Sequence, residues 1–295
     1  MTKKILLFPL LIIGIVSMPF PAAALGGAPF AISGSLAPAG SLVSGVNAVT
    51  FEAVNDPDGV YRFTLSQGGI TAVQYELDTA DQNVRTGLLK IQETVQSGGA
   101  YPVFEAGPRY RKQNGVMLTP VQLAAQAATA FEHSLSGNIL SLRYSQAIEG
   151  KTTKFRYDLE IRGKTLVIQA YAEEPDPSHL GNYAGFSLGP TGNTPNPRPV
   201  AIPYMNLMPF IVSGTGTNQF FSSGYIDFTR SNSNKEPQKA GPTLVSPSSY
   251  LSSYFTEYIP GENNVYPNFS ETAYLTVSAE IRDVFIKIHR AASPH

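Results

Sequence analysis

Apolar and polar residues alternate most clearly between residues 138 and 172. Around residue 158 every second side chain is apolar and the residues between them are mostly charged; the apolar ones are Phe155, Tyr157, Leu159 and Ile161. Comparable apolar faces precede and follow this run, with Gly150 and Gly163 at the two reversals, where a positive φ costs little. The pattern predicts an antiparallel meander with one face toward the core and the other toward water.

The same period of two appears earlier and later in the chain. Residues 61–65 and 71–77 alternate around the connection Gln67-Gly68-Gly69, which predicts a hairpin. Apolar runs around 205–212 and 220–228 follow, and a last strand is expected at 273–277. The sequence therefore predicts a mainly β fold.

One segment departs from the strand pattern. Thr119 can cap a helix, Pro120 suits its first turn, and the alanines that follow have high helix propensity. We therefore expect a single short helix over about residues 120–133. Its buried stripe would consist of Leu123, Ala127, Ala130 and Phe131.

The first 24 residues have the order of a secretory signal peptide. Lys3 and Lys4 precede the apolar run 5–16, and Ala22-Ala23-Ala24 supplies a cleavage site before Leu25. The alternative is an uncleaved anchor, but the apolar run falls short of the roughly 20 residues that span a bilayer. We therefore expect export to a secreted or periplasmic location, with no membrane attachment after cleavage.

The expected domain organisation follows from these elements. Residues 1–24 form the signal peptide, 25–45 a Gly/Pro/Ser-rich leader, 46–279 the β domain and 280–295 a tail. The tail is compatible with either a helix or a strand.

Composition excludes several classes of function. The chain has no cysteine, which removes disulfides and thiolate chemistry. Its formal charge of −1 becomes −3 without the two lysines of the signal peptide, so the basic stripe typical of nucleic-acid binding is not expected. Charged residues make up only 15% of the chain, whereas glycine and proline number 26 and 23, which favours strands joined by turns.

The sequence shows no recognisable catalytic motif, so the catalytic residues are unknown. The histidines lack metal-ligand spacing, and no metal or cofactor is predicted; they are His133, His179, His289 and His295. An acidic run before His179 fits a solvated loop better than a cation site. The signatures G-x-S-x-G and the phosphate loop are both missing. Among the carboxylates, the least implausible acid–base candidates are Asp227, Glu257, Glu262 and Glu271.

Aromatic and amide side chains are dense in the second half of the chain. Aromatic rings pack on the C–H faces of sugars, while Asn and Asp satisfy the hydroxyls, so a glycan is the candidate ligand. The proposed carbohydrate-binding residues are Tyr204, Asn206, Tyr225, Asp227 and Tyr258. The alternative is that these rings fill the core, and the absence of tryptophan favours that alternative.

The order of segments resembles a known module. It includes YPVFEAGPRY, SLRYSQAIEGKTTKFRYDLEIRGKTLVIQAYAEE, SSGYIDFTRSNSN and ETAYLTVSAEIRDVFIKIHRAASPH. These segments, over roughly residues 46–292, resemble the N-terminal β-supersandwich of large secreted bacterial glycoside hydrolases, the galactose-mutarotase-like module that precedes a (β/α)8 catalytic barrel. The resemblance implies an antiparallel β-supersandwich and a C-terminal catalytic domain that would begin near residue 295. It transfers no catalytic residue to this chain.

Three functions stay open at this point. The first is a non-catalytic module of a polysaccharide-processing glycoside hydrolase that supports the barrel and contacts glycan. The second is an autonomous carbohydrate-binding or adhesion protein. The third is a mutarotase-like epimerase, which would need a His/Glu acid–base pair drawn from His133, His179 or His289.

Overall fold

The computed structural model describes most of the region after residue 48. The described residues are 49–56, 58–96, 101–126, 128–174, 183–190, 194–199, 210–227, 229–233, 235–246, 249–258, 269–281 and 283–284. All of them belong to one compact unit, residues 36–295. The signal peptide (1–24), the leader (25–45) and most of the tail (280–295) lie outside the described residues.

Two antiparallel sheets account for the fold. Sheet A contains β1 (Val49–Asn55), β2 (Val60–Gln67), β3 (Ile70–Asp78), β4 (Leu89–Glu93), β5 (Tyr101–Arg111), β6 (Met117–Leu118), β11 (Tyr183–Pro190), β15 (Lys235–Ser246) and β16 (Ser249–Glu257). The strand order is β1-β2-β3-β4-β5-β11-β16-β15, and β6 pairs with β5. Strands β1 to β5, which follow one another in sequence, therefore form one half of the sheet, and β11, β16 and β15 complete it.

Sheet B is built around the predicted meander. It contains β7 (Ala128–Ser136), β8 (Ile139–Ile148), β9 (Lys151–Arg162), β10 (Thr165–Glu174), β12 (Arg198–Pro199), β13 (Phe210–Ser213), β14 (Phe220–Ile226) and β17 (Ser270–Ser278). The order is β12-β13-β14-β17-β10-β9-β8-β7, so the last strand lies between β14 and β10. The mainly β, antiparallel fold class is confirmed.

The core lies between the sheets and is rich in aromatic rings. In β9 buried and half-buried residues alternate as the sequence predicts, with Phe155 and Tyr157 fully buried. Phe155 stacks on Tyr144 of β8 with ring centroids 4.6 Å apart. The hairpin predicted around Gly68 is also present, as β2 and β3. Alternation along the sequence thus identifies the face that packs inward.

The predicted helix begins where expected but is shorter. Helix α1 covers Gln82–Arg85 and α2 covers Pro120–Gln126. The hydroxyl of Thr119 accepts from the amide of Gln122, 3.3 Å away, and Gln122 Oε1 accepts from the amide of Thr119 at 3.0 Å. This reciprocal arrangement caps the helix N-terminus.

The prediction that this helix continues to residue 133 is wrong, because the chain enters β7 at Ala128. Every residue of β7, from Ala128 to Ser136, pairs with β8. This extended ladder outweighs the propensity of the alanines, since short helices are marginal without tertiary support. Phe131, expected on the buried helical stripe, instead packs from the strand onto Tyr144 at 5.1 Å.

Candidate functional site

The outward side of sheet B is the first candidate surface. Successive side chains of β17 point to opposite sides; Ala273, Leu275 and Val277 join the main core, whereas Tyr274 forms a separate cluster with Val167 and Tyr225. We call this second side the outer face of sheet B, defined by Thr165, Val167, Ser223, Tyr225, Tyr274 and Thr276. In β17 every residue after the first is buried, whichever way it points.

Two of the predicted glycan residues meet on this outer face. Asp227 is 1% exposed, and its Oδ1 accepts from the amide and hydroxyl of Thr229 at 3.0 and 2.6 Å. Its Oδ2 accepts from the Tyr274 hydroxyl at 3.2 Å and lies 3.7 Å from Arg230 Nε. Tyr225 stacks against Tyr274 at a centroid distance of 6.4 Å. Tyr274 therefore joins Tyr225 and Asp227 into one cluster.

The electrostatics of this cluster keep the Tyr274 hydroxyl protonated. Burial raises the pKa of Tyr274 to about 12, and the negative charge of Asp227 adds to the rise, while Arg230 opposes it. The hydroxyl consequently remains a hydrogen-bond donor to Asp227 at physiological pH.

Tyr258 occupies a different environment, on the core side of β17. It is fully buried, and its hydroxyl donates to Glu271 Oε1 at 2.6 Å. The same oxygen accepts from the Thr256 hydroxyl at 2.8 Å. Burial raises the pKa of Glu271, although the hydroxyls of Tyr258, Ser231 and Thr256 oppose the rise. The pair is thus an interior polar contact between β17 and the segment after β16.

The structure therefore separates the predicted carbohydrate-binding residues. Tyr225 and Asp227 share the outer face of sheet B, Tyr258 lies on the core side, and Tyr204 and Asn206 lie outside the described residues. Of the three that are described, only Tyr225 is less than fully buried. Their contact with glycan stays a prediction.

The other candidate groups have structural partners. His133 is exposed on β7, and its Nδ1 lies 2.7 Å from the Tyr61 hydroxyl. Glu257 Oε1 accepts from Arg111 at 2.5 Å. His179, His289, His295 and Glu262 lie outside the described residues.

Two negative findings apply to the described part of the chain. There, no group of three or more metal-ligating side chains comes together. Among the same residues, no helix has both the length and the apolar character needed to cross a membrane.

Sequence reasoning missed a group on the outward side of sheet A. There Arg109 and Arg111 of β5 lie beside Phe255 and Glu257 of β16. The spacing of two between the arginines signals a shared strand face. Their aromatic and acidic neighbours come from a distant segment and leave no local signal.

The comparisons with known proteins support no family assignment. No protein-family profile matches the chain, and no curated protein sequence matches it significantly. Among solved structures, a bacterial glucoamylase complexed with acarbose is similar at a TM-score of 0.46 and 10% identity, over 85% of this chain and 36% of that one.

Two further solved structures are similar to the chain. A heparan sulfate lyase HepC mutant from Pedobacter heparinus gives a TM-score of 0.37 at 13% identity, over 77% of this chain and 36% of that one. The protein HI1317 gives 0.35 at 8% identity, over 78% of this chain and 99% of that one. The chain thus spans about a third of the glucoamylase and of the lyase.

Proposed function

We propose that this chain is the non-catalytic N-terminal β-sandwich module of a secreted glycoside hydrolase that processes polysaccharides. In that role it supports the catalytic domain and contributes glycan contacts. The segment order that resembles such modules and the confirmed antiparallel sandwich both support the proposal.

The observation that carries the proposal is the burial of β17 on both sides. Tyr274 and Thr276, which point away from the core, are as fully buried as Leu275, which points into it. Antiparallel sheets in free-standing sandwiches commonly leave one face to water. Within this chain β17 is thus covered on both sides, whereas β8 and β9 of the same sheet keep exposed or half-buried outer faces. A doubly covered strand gives the rigidity that a module supporting further structure needs.

The chain that leaves β17 is also fixed to the sandwich. Lys164 Nζ donates to the carboxylate of Asp283 at 2.6 Å, and the Ser278 hydroxyl donates to the same carboxylate at 3.0 Å. Val284 is fully buried. Asp283 and Val284 thus give the sandwich a rigid point of attachment, which is the mechanical requirement for a supporting module.

The native gene product provides the test. Antibodies raised against this chain would isolate the product from culture fluid, and mass spectrometry would give its mass. We expect a polypeptide much heavier than 31.7 kDa that releases reducing ends from a polysaccharide. A product no heavier than this chain that binds glycans without cleaving them would favour the autonomous carbohydrate-binding alternative instead.

A further inference from the structure

An arginine cluster lies on the side of sheet A that faces away from the core. It consists of Arg109, Arg111, Phe255 and Glu257. The guanidinium carbon of Arg109 is 3.8 Å from the centroid of the Phe255 ring, and Arg111 Nη2 donates to Glu257 Oε1 at 2.5 Å. The two arginines are therefore held side by side, one by an aromatic ring and one by a carboxylate.

Each arginine retains an N–H donor that no described residue uses. Arg109 Nη1 and Arg111 Nε are both buried, and neither has a hydrogen-bond partner in the part of the chain that the structure describes. Buried donors without partners are uncommon, because each costs about 1–3 kcal/mol of lost solvation. Both side chains are nevertheless partly exposed, Arg111 to 28%, so the guanidinium groups lie close to the surface. An external acceptor can therefore reach the exposed part of each guanidinium group, and a shift of the side chains would be needed to bring these two buried donors to it.

The charges of the cluster favour an anion. Among the side chains that the structure describes, two guanidinium groups face one carboxylate, that of Glu257, so one positive charge is left over there. Burial lowers the pKa of Arg109, and the neighbouring charge of Arg111 lowers it further, while Glu257 opposes both. The next carboxylate on this side of β5, Glu105, lies opposite Lys90 in the pairing with β4. A single external negative charge would complete the balance.

The surroundings fix the position of the arginines. A side chain at Gly185 of β11 would place its Cβ 2.1 Å from the carbonyl oxygen of Thr256, so only glycine lets β11 and β16 approach this closely. That approach sets Phe255 and Glu257 beside β5. A Cβ at Gly107, two residues before Arg109, would lie 2.7 Å from Pro120 of α2, so the helix bounds the cluster on that side.

We propose that the arginine cluster binds an acidic saccharide that carries one negative charge on each acidic sugar. Arginine forks match planar carboxylates in bidentate geometry, and they also bind sulfate esters. A uronate sugar is thus one source of the charge and a sulfated sugar the other. The inference rests on the proposed function only in assuming that the module meets polysaccharide.

Calorimetric titration of the full chain tests the proposal. The probes are trigalacturonate, its methyl ester as the matched neutral sugar, and a sulfated disaccharide. The variant is Arg109→Gln, and the control is Arg143→Gln, an arginine of sheet B that is 49% exposed and paired with Glu173 at 3.1 Å. We expect the acid to bind and the ester not to bind. Arg109→Gln removes the charged guanidinium group and its bidentate hydrogen bonds, so it should weaken binding about tenfold or more, with no change in the control.

The outcomes separate clearly. Tighter binding of the sulfated sugar, with the same loss in Arg109→Gln, supports the site and identifies sulfate as the source of the charge. Equal binding of acid and ester, equal affinities in the two variants, or no binding of any acidic probe would overturn the proposal. None of these results alters the mass or activity of the native gene product, so the proposed function stands or fails separately. If Arg109→Gln does not fold, Arg109→Lys keeps the charge without the fork and should show a partial loss.

Discussion

The Tyr75 hydroxyl connects the two sheets, and Tyr75→Phe tests how much that connection stabilises the fold. Tyr75 lies on β3 in sheet A and is fully buried. Its hydroxyl donates to the carbonyl oxygen of Lys164 at 2.6 Å and accepts from the amide of Val277 at 2.9 Å. Lys164 lies in the turn that joins β9 and β10 of sheet B, and Val277 lies in β17 of the same sheet. Phenylalanine would keep the ring packing and remove only these bonds and a longer one to the carbonyl oxygen of Leu275 at 3.4 Å.

The size of the effect follows from the groups left behind. The amide of Val277 would lose this partner in a buried position, and the carbonyl of Lys164 would lose it in a partly buried one. At about 1–3 kcal/mol for each buried unsatisfied group, the free energy of unfolding should fall by about 2–4 kcal/mol. For a domain of this size, that corresponds to a decrease in Tm of roughly 5–12 °C.

Thermal and urea unfolding, followed by circular dichroism, would measure the change. Tyr61→Phe is the matched control, since the Tyr61 hydroxyl meets the exposed ring of His133, and water can replace it there. The control should lose less than about 1 kcal/mol. If the two variants lose the same stability, the hydroxyl of Tyr75 is not the link between sheets that the geometry indicates.

Three further predictions concern other buried contacts. Burial raises the pKa of Glu271 above its ordinary value of 4.5. The stability of the wild type relative to Glu271→Gln should therefore be greatest below pH 4.5 and should fall as the pH rises through the raised pKa. A difference in Tm between the two proteins that does not change with pH would contradict this prediction. Gly185→Ala should lower the free energy of unfolding, measured in urea, by about 2–4 kcal/mol, because the new Cβ would lie 2.1 Å from the Thr256 carbonyl oxygen. An unchanged free energy of unfolding would show that β11 and β16 can move apart without cost. Asp227→Asn should lower the Tyr274 pKa from about 12, because it removes a negative charge that opposes ionisation; NMR titration with labelled tyrosine would detect the shift, and an unchanged pKa would exclude that charge as a cause.

Local sequence pattern predicted much of the fold because strand side chains alternate in space as they do in sequence. The apolar positions of β9, such as Phe155 and Leu159, are the buried ones. Helix propensity was less reliable: the alanines after Pro120 indicated a helix through residue 133, and α2 ends at Gln126. The pairing of β7 with β8 decides that segment, and a partner strand is invisible to local propensity.

The candidate sites were less predictable for a related reason. Tyr225 and Asp227 are two residues apart in sequence, and side chains at that spacing in an extended chain point to the same side of the sheet. Their proximity could therefore be predicted. Tyr258 belongs with Glu271 only because the chain after β16 returns to β17. The contact between Arg111 and Glu257 joins residues 146 positions apart. Nothing in the local pattern specifies which distant strands pair, and that pairing creates the arginine cluster.

The reading frame of the native gene downstream of the codon for residue 295 tests the central proposal most directly. A supporting module requires a catalytic domain to support. If the proposal is right, the frame continues without interruption into a segment of alternating strands and helices long enough for a barrel. A stop codon immediately after residue 295 would contradict it and leave an autonomous glycan-binding protein as the better explanation.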